Sequence, residues 1–477
     1  MNRKTVHSVG IDIGTTTTQV IFSRLTMVNR APVTQVPRYE FVEREIFFQS
    51  PVSPTPLEED GTVNVPMLQR FIDDQFAAAG LTLSDIETGA IIITGETSKV
   101  KNAKDTVMGL AERLGDFVVA TAGPNLESVI AGKGSGAGDY SKRNHARVLN
   151  IDIGGGTSNY VVFNSGRVED TACLNIGGNL IKTDRSGAVT RIREPAKHVI
   201  ESLFGEALTE ARVSADHLKK IVSCMAQLVV DVIVGKRSEL CQKLMMTPYL
   251  KEPGDFDAVF ISGGVGTSYY TLKTEEIEPF HWQDIGVLLG GALLKHPTLA
   301  AMNVQVPLQT QQATVIGAGA YSMSLSGSSI WLNVDSLPIR NIPVVEPQID
   351  WQSVDLPPVC QQIIEAAELM DLRLREDSYA IALGRDMPMS YRVVHHTAIE
   401  IADYYQQHGN RQTPAIIVTE NDLGKVLGME LQPLIAPQKL LVIDEVRAVA
   451  GDYIDVGESF FGGEVVPLTI KSLAFPA

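Results

Sequence analysis

Two short segments of the sequence contain residue types that suit the binding of a polyphosphate. Residues 11–18 read IDIGTTTT and residues 151–158 read IDIGGGTS, with five of the eight positions identical. An apolar run follows each segment, which predicts a β-hairpin with a Gly/Thr turn at its tip. Backbone N–H groups that converge at such a tip bind phosphate oxygens. The sequence therefore predicts two phosphate-binding hairpins.

The first hairpin combines a carboxylate with a turn that is rich in hydroxyl groups. Gly14 permits a tight turn that a ligand can approach closely. Asp12 lies at the end of the predicted strand, where it can hold Mg²⁺ through water, since magnesium keeps much of its hydration shell. Hydroxyl and N–H groups for phosphate oxygens come from the residues after the glycine: Thr15, Thr16 and Thr17.

The second hairpin repeats this arrangement with glycines in place of two threonines. Asp152 stands where Asp12 stands in the first hairpin, and Thr157 again supplies a hydroxyl. Two carboxylates that face one triphosphate require a cation between them, so Asp12 and Asp152 are predicted ligands of Mg²⁺. Further N–H donors are predicted at three consecutive glycines: Gly154, Gly155 and Gly156.

Two other glycine-rich segments are weaker candidates for a binding site. FISGGVG (260–266) follows a predicted buried strand, and its small residues would let a base and ribose lie against the backbone. Taken alone this signal is weak, because strand-GG turns are common in α/β proteins. VIGAGA (315–320) is weaker still, since packing of small helix residues explains it equally well. The candidate residues are Ser262, Gly263, Gly264, Gly266 and Gly317.

The near-repeat also predicts how the chain is divided. It indicates two related α/β halves, at residues 1–146 and 147–329. Strand–helix–strand order further on predicts a separate C-terminal α/β domain at residues 330–477. Within that domain we expect strands at 379–383, 415–419 and 440–446, a helix at 390–407, and a closing β-hairpin at 451–475.

Three segments outside the motifs lead to expectations about local structure. Apolar residues recur at helical spacing through 195–246, which predicts a long helical region. GKGSGAG (132–138) is rich in glycine and predicts a flexible linker. ATVIGAGAYSMSL (313–325) predicts a turn that leads into a helix.

Charge and cysteine usage argue against several classes of protein. The net charge is −16 and the pI about 5.1, whereas nucleic-acid binding requires an excess of Lys and Arg. Four cysteines without a CxxC pair argue against a disulfide framework or structural zinc and favour a reducing compartment. The sequence has no signal-peptide pattern and no apolar run of about 18 residues. We therefore expect a cytoplasmic protein with no nucleic-acid or membrane partner.

These motifs resemble those of the actin/Hsp70/sugar-kinase ATPase superfamily, across residues 8–325. The resemblance implies an actin-like ATPase fold, in which two ribonuclease-H-like domains surround a cleft that holds ATP and Mg²⁺. It identifies residues 11–18 and 151–158 as phosphate loops, 259–266 as the adenosine loop, and 123–132 and 313–322 as crossing connections.

The resemblance also implies a catalytic group. Asp12, Asp152 and Thr157 would form it, and Asp152 would position or activate the attacking water. Chaperone members of the superfamily carry Glu directly before the Pro of the first connection, whereas this chain has Gly-Pro at 123–124. Glu127, one helical turn further on, is the candidate replacement, and whether it serves is left open.

A closer resemblance extends over nearly the whole chain. SVGIDIGTTTTQVIFSRL, VPRYEF, GAIIITGE, LNIDIGGGTSNY, SGGVG, QATVIGAGA, GDYIDVG and IKSLAFP are similar to segments of the ethanolamine ammonia-lyase reactivating family of bacterial ethanolamine utilisation. This resemblance implies a chaperone-like ATPase that releases damaged cobalamin from the lyase, so that intact adenosylcobalamin can enter. The lyase would be the protein partner, and adenosylcobalamin would be reached through it. Assembly into a homo-oligomer and association with a bacterial microcompartment are left open.

Two other functions are compatible with the same fold. A small-molecule kinase would need a carboxylate base beside the acceptor hydroxyl, and the sequence assigns none. An actin-like, nucleotide-dependent scaffold would assemble without any client protein. The family resemblance favours the reactivating ATPase over both alternatives.

Overall fold

The computed structural model describes most of the chain: residues 3–14, 17–29, 39–58, 62–86, 88–93, 117–121, 123–307, 320–325, 330–334, 337–352, 356–457 and 466–472. Within these ranges, no helix combines the length and apolar character needed to cross a membrane. The cysteines are free thiols: Cys173, Cys224, Cys241 and Cys360.

A mixed β-sheet built on the first hairpin forms the N-terminal part of the fold. Its elements are β1 (Arg3–Ile13), β2 (Thr17–Asn29), β3 (Tyr39–Gln49), β4 (Ser53–Pro54), α1 (Val65–Ala79), β5 (Thr88–Ile93) and β6 (Phe117–Thr121). The main strand order is β3-β2-β1-β5-β6, and β4 pairs with β2. β2 is antiparallel to β1 and β3, whereas β5 and β6 continue parallel to β1. Ile11 and Ile13 of β1 pack in one buried cluster with Leu68 and Ile72 of α1.

A second sheet, built on the second hairpin, repeats this topology. The strands in this region are β7 (Arg147–Ile153), β8 (Ser158–Asn164), β9 (Arg167–Leu174), β10 (Ile181–Thr183), β11 (Val189–Ile192), β12 (Ala258–Ser262) and β13 (Val304–Gln305). The sheet order is β9-β8-β7-β12-β13, and β10 and β11 form a separate ribbon. β8 is antiparallel to β7 and β9, and β12 and β13 are parallel to β7. The two sheets agree in strand order and direction, which confirms the predicted α/β fold with two related halves.

The predicted helical region at 195–246 is divided in the structure. Helices of this part of the chain are α2 (Pro124–Gly134), α3 (Ala137–Asn144), α4 (Glu194–Phe204), α5 (Ala215–Ile233), α6 (Glu239–Leu244), α7 (Gly263–Thr271), α8 (Gly286–Leu294) and α9 (Pro297–Ala301). Gly205 ends α4 with a left-handed φ of 71°, which glycine adopts without strain. Ser214 and Ser238 then accept backbone N–H bonds in the first turns of α5 and α6. The predicted helical region is confirmed, and these caps divide it into three helices.

The prediction of a flexible linker at GKGSGAG was wrong, although residues 135–136 do form a turn between two helices. Residues 132–134 complete α2, and residues 137–138 begin α3. Gly132 lets α2 lie directly on the second sheet, because a Cβ there would be 2.3 Å from Val161 Cγ1 and 2.7 Å from Phe163 Cε2. These glycines permit close packing, and composition alone does not distinguish that role from flexibility.

The C-terminal part of the chain forms a third sheet, of eight strands. Its elements are β14 (Ala320–Leu325), β15 (Trp331–Asn333), β16 (Ile339–Val345), α10 (Val359–Glu368), β17 (Ala380–Leu383), α11 (Tyr391–Gln407), β18 (Ala415–Thr419), α12 (Gly424–Ile435), β19 (Leu440–Ile443), β20 (Asp452–Val456) and β21 (Pro467–Ser472). The order is β14-β21-β20-β16-β17-β18-β19-β15. Strands β16 to β19 are parallel, with one helix in each connection. We call β14 to β21 with α10 to α12 the C-terminal unit.

The two ends of this unit differ in how well the sequence predicted them. Strands β17, β18 and β19, helix α11 and the closing hairpin of β20 and β21 lie where the sequence placed them, whereas β16, α10 and α12 were not predicted. In contrast, residues 320–325 are strand β14 rather than helix, and 313–319 lie outside the described residues. β14 precedes the predicted boundary at residue 330 but pairs with β21. The exact domain limits stay a prediction.

Helix α2 connects the C-terminal unit to the rest of the fold. Leu126 and Ile130 of α2 belong to the same buried cluster as Val345 and Ile363 of the C-terminal unit. Lys133 Nζ donates a hydrogen bond to the backbone oxygen of Ala450. The opposite side of α2 contacts β7, β8 and β9. α2 is therefore packed between the second sheet and the C-terminal unit.

We predict that Gly132→Ala lowers the stability of the protein by about 1–3 kcal/mol, because the new methyl group overpacks the contact with Val161 and Phe163. Thermal unfolding of the purified variant measures this effect. Gly138→Ala is the matched control, since its Cβ would lie 3.3 Å from Phe163 Cε1 and should cost much less. Equal, negligible losses in both variants would restore the linker interpretation.

Candidate functional site

The turns of the two predicted hairpins have the same hydrogen bond. Gly14 N–H donates to the Thr17 carbonyl oxygen at 2.9 Å, and Gly154 N–H donates to the Thr157 carbonyl oxygen at 3.0 Å. The strand registers also correspond, because Asp12 pairs with Gln19 and Asp152 pairs with Asn159. The sequence repeat is thus a structural repeat, with each aspartate two residues before the turn glycine.

Asp152 is a buried carboxyl group at the end of β7. Its side chain is 8% exposed. Burial raises the pKa of Asp152 to about 6, and the hydroxyl of Ser262, which donates to Oδ1 at 2.6 Å, opposes that rise. A buried carboxylate is stabilised by a cation or a hydrogen-bond donor beside it. This position therefore suits an acidic group that acts on a bound cation or a proton.

Ser262 has a role that the sequence did not predict. We expected it in an adenosine loop, but its side chain is fully buried and its hydroxyl holds Asp152. Asn150 Nδ2 donates to Ser262 Oγ at 3.2 Å, so a chain of two hydrogen bonds fixes the carboxyl. β7 and β12 are parallel neighbours with Asp152 opposite Ser262, which brings the two side chains together.

The glycines of the predicted adenosine loop divide into two groups. Gly263 has a φ of +83°, and a Cβ there would lie 2.4 Å from the Ile153 carbonyl oxygen. A Cβ on Gly266 would lie 2.8 Å from the Ile261 carbonyl oxygen. These two glycines serve the close packing of α7 on the sheet. Gly264 has no atom within 4 Å of its Cβ position, so its backbone borders open space that a ligand can occupy.

Open space also borders the second hairpin turn. No atom lies within 4 Å of the Cβ positions of Gly154 and Gly156. Close by, Asn159 Nδ2 approaches Thr157 Oγ1 at 3.5 Å, while Asn159 Oδ1 is buried without a hydrogen-bond partner. The turn backbone at these two glycines therefore borders unfilled space, as a phosphate site requires.

A loop that the sequence analysis missed supports this turn from behind. Gly178 N–H donates to the Gly154 carbonyl oxygen at 2.9 Å, and Asn179 N–H donates to that of Gly155 at 2.7 Å. A Cβ on Gly177 would lie 2.6 Å from the Gly155 carbonyl oxygen. The signal in the sequence was the glycine pair at 177–178, shortly after the end of β9, since paired glycines permit close approach of another backbone segment.

The supporting loop is anchored to α8 through Asp284. Asn179 Nδ2 donates to Asp284 Oδ2 at 3.2 Å, and Gly286 N–H donates to Asp284 Oδ1 at 2.8 Å. Burial raises the pKa of Asp284, and the hydrogen bonds from Gly286 and Asn179 oppose that rise. The second turn thus rests on a loop that is itself fixed to a helix.

The first hairpin turn has its own support. Thr55 Oγ1 donates to the Gly14 carbonyl oxygen at 2.7 Å and lies 3.1 Å from Thr18 Oγ1. Asp12 is half-buried, and Thr17 is exposed. Thr55 was not predicted as part of the site, because it comes from a proline-rich segment far along the chain.

Several predicted site residues stand apart from this group. Glu127 is in the first turn of α2. The structure brings the second hairpin together with residues 262–264, whereas the shared cleft with the first hairpin stays a prediction. The remaining candidates lie outside the described residues: Thr15, Thr16 and Gly317.

The fold and the site define a class of protein: a two-halved α/β protein in which each half opens with an aspartate-bearing hairpin suited to a polyphosphate. Comparison with known proteins makes this more specific. The chain matches the family model described as ethanolamine utilisation protein EutA over residues 4–476, and it belongs to that family.

Two relatives match over the full length of both chains. Ethanolamine ammonia-lyase reactivase EutA of Salmonella typhimurium (strain LT2) is 49% identical, over 100% of each chain. The protein of the same name from Escherichia coli (strain K12) is 48% identical, again over 100% of each chain. Among solved structures, the Aquifex aeolicus Ppx/GppA phosphatase is 16% identical with a TM-score of 0.34, over 56% of this chain and 71% of that one. The fold assignment therefore rests on the strand order itself.

We predict that Gly177→Ala displaces the second turn, because its Cβ would collide with backbone atoms of Gly155, which cannot rotate away. The expected loss of stability is about 1–3 kcal/mol, with faster amide exchange at residues 154–157. Hydrogen-exchange mass spectrometry and thermal unfolding check both effects. Gly156→Ala, whose Cβ would meet open space, should change neither, and a Gly177 variant that behaves like this control would disprove the supporting role.

Proposed function

We propose that this protein is an ATP-dependent reactivating factor for ethanolamine ammonia-lyase. The observation that carries the proposal is the identity of about half of all positions, over the full length, with two proteins named as reactivases of that lyase. The nucleotide part is supported by the two equivalent hairpins. In the proposed activity, the protein opens the inactivated lyase so that damaged cobalamin leaves and intact adenosylcobalamin enters.

The residues of the second hairpin fit a magnesium-bound triphosphate. The turn backbone at Gly154 and Gly156 borders open space in which phosphate oxygens can lie, and Gly264 borders a space for the nucleoside. No three His, Cys, Asp or Glu side chains of the described ranges form a metal-binding group. Phosphate oxygens and water would thus supply most ligands of Mg²⁺, with Asp12 and Asp152 holding it through water. When bound, Mg²⁺ neutralises charge on the phosphates and orients them.

The protein groups then have distinct tasks in hydrolysis. Asp152, whose pKa burial raises, would hold the water shell of Mg²⁺ and orient the attacking water. Ser262 and Asn150 keep the Asp152 carboxyl in one orientation. Thr157 and the turn N–H groups bind phosphate oxygens. Glu127 is the remaining candidate for a proton acceptor near the first connection.

The conformational work follows from differential binding. ATP would favour a closed cleft between the two halves, and its hydrolysis would release that state. A difference of a few kcal/mol in affinity for the lyase between the two states is enough to shift the client's populations strongly. We propose that the C-terminal unit contacts the lyase, since the hairpins and the 262–264 turn all precede it. Cobalamin exchange inside a bacterial microcompartment is the corresponding cellular setting.

We predict that Asp12→Ala and Asp152→Ala each abolish ATP turnover and lyase rescue, because each removes a carboxylate needed at the metal. The assay is recovery of activity by hydroxocobalamin-blocked ethanolamine ammonia-lyase with Mg-ATP and free adenosylcobalamin, with a non-hydrolysable ATP analogue as the negative arm. Asp216→Ala, which alters an exposed aspartate of α5, serves as the matched control. Rescue at the normal rate by either site variant would refute the mechanism.

We predict that Ser262→Ala lowers ATP turnover by roughly 10- to 100-fold, the usual effect of removing a group that orients a metal-bound residue. The reason is that Asp152 loses its hydroxyl donor and Asn150 loses its acceptor. Steady-state turnover measures the effect. Ser268→Ala is the control, because that buried hydroxyl donates to the Gly264 carbonyl oxygen within its own helix and not to Asp152. Unchanged turnover in the Ser262 variant would exclude the orienting role.

A further inference from the structure

Helix α2 begins at a residue that cannot cap it. Gly123 occupies the N-cap position, and without a side chain it makes no capping hydrogen bond. An N-cap side chain normally accepts the N–H of the second or third residue of the helix. Here the third residue, Leu126, donates its N–H to Asp371 Oδ2 at 2.8 Å. A carboxyl group from a distant part of the chain thus makes the bond that an N-cap side chain would make.

The same carboxyl group also fills the space of the missing side chain. A Cβ built on Gly123 would lie 2.5 Å from Asp371 Cγ and 2.7 Å from Asp371 Oδ2. The backbone at Gly123 has φ −71° and ψ 178°, which any residue can adopt. The backbone conformation therefore does not require glycine at this position. Glycine is required because the Asp371 side chain occupies the space that a Cβ would fill.

Asp371 belongs to the C-terminal unit and lies three residues after the last turn of α10, which ends at Glu368. The Glu368 carbonyl oxygen in that turn accepts a hydrogen bond from Asn125 Nδ2 at 3.2 Å, and Met370 lies in the same buried cluster as Leu126. Burial raises the pKa of Asp371 to about 6, and the N–H group of Leu126 opposes that rise. The carboxyl is thus held against the positive end of α2.

The other side of the first turn of α2 is tied to the second sheet. Asn125 Oδ1 accepts a hydrogen bond from Thr171 Oγ1 of β9 at 2.9 Å. Glu127 lies in the same turn. A single helical turn therefore connects β9, the end of α10 and the candidate acidic residue of the first connection.

We propose that Asp371 is a positioning residue: it caps α2 in place of a side chain at residue 123 and so makes the position of the Glu127 turn depend on the C-terminal unit. A cap within residue 123 itself would stabilise the helix but would not connect it to the C-terminal unit. The link between the cap and nucleotide state rests on the function proposed above. The cap itself does not.

An exchange of the two residues separates capping from connection. Gly123→Asp alone should be destabilising, since the new side chain collides with Asp371. Asp371→Gly alone removes the cap, and glycine suits the left-handed φ of 55° at residue 371. The double variant, Gly123→Asp with Asp371→Gly, restores a carboxyl cap without the collision. Asp371→Asn keeps both the acceptor and the connection, because asparagine tolerates left-handed backbone.

The first measurement is hydrogen exchange of residues 124–130 without nucleotide, at pH 8, where Asp371 is ionised. In Asp371→Gly, the amides of this segment should exchange roughly five-fold faster, the usual effect of losing a cap. In the double variant, their exchange rate should return close to that of the wild type. Asp371→Asn should also stay close to wild type. If the two substitutions had additive effects on the exchange rate, so that the double variant showed no recovery, the cap assignment would be wrong.

The second measurement is the change in exchange at residues 359–371 when Mg²⁺ and a non-hydrolysable ATP analogue are added. Wild type and Asp371→Asn should show a nucleotide-induced change in amide exchange. The double variant should lose more than half of that change although its helix is capped. A full change in the double variant would overturn the connection. No response at residues 359–371 in the wild type would overturn the connection, while the nucleotide-free measurement would still decide the cap.

Discussion

Ionising a carboxyl group at the end of a buried strand costs free energy unless a donor or a cation lies beside it, and the site is organised around that cost at Asp152. Ser262 supplies one donor from the neighbouring parallel strand, and Asn150 fixes Ser262. The turn that follows Asp152 is held in place by the backbone of residues 177–179. A bound cation would offset the rest of the cost of ionising Asp152, so we expect the ionised carboxylate to be most stable when a ligand is present.

The repeat in the sequence predicted the larger features of the fold well. An Asp two residues before a Gly/Thr turn, between two apolar runs, allows few local structures, and the two copies predicted two related α/β halves. The strand order within each sheet came from the structure. Family membership then agreed with the closer family resemblance seen in the sequence. The sequence also predicted the strand–helix–strand order of the C-terminal unit. Its buried strands, such as residues 415–419, are short apolar runs, and the segment before that strand has helical periodicity.

The features that the sequence did not predict depend on contacts between distant residues. Ser262 was expected beside a ligand, but its hydroxyl donates to Asp152 because the two residues lie opposite each other on adjacent strands. Glycines at 132–138 were taken for a linker because composition does not show which neighbour needs the space. Residues 320–325 have no strong preference of their own, and pairing with β21 determines that they form a strand. In each case tertiary contacts override local propensity.

The pairing of β14 with β21 also affects how the chain is made. Met323 of β14 pairs with Thr469 of β21, whereas each parallel strand between them in the chain is joined to the next through a single helix. During synthesis β14 leaves the ribosome long before its partner, and contacts of such sequence separation form slowly. Until then its unpaired edge can associate with other nascent chains. Completion of the eight-stranded sheet is therefore expected to be a late step in biogenesis, and expression yield should be sensitive to the rate at which the last 150 or so residues are translated.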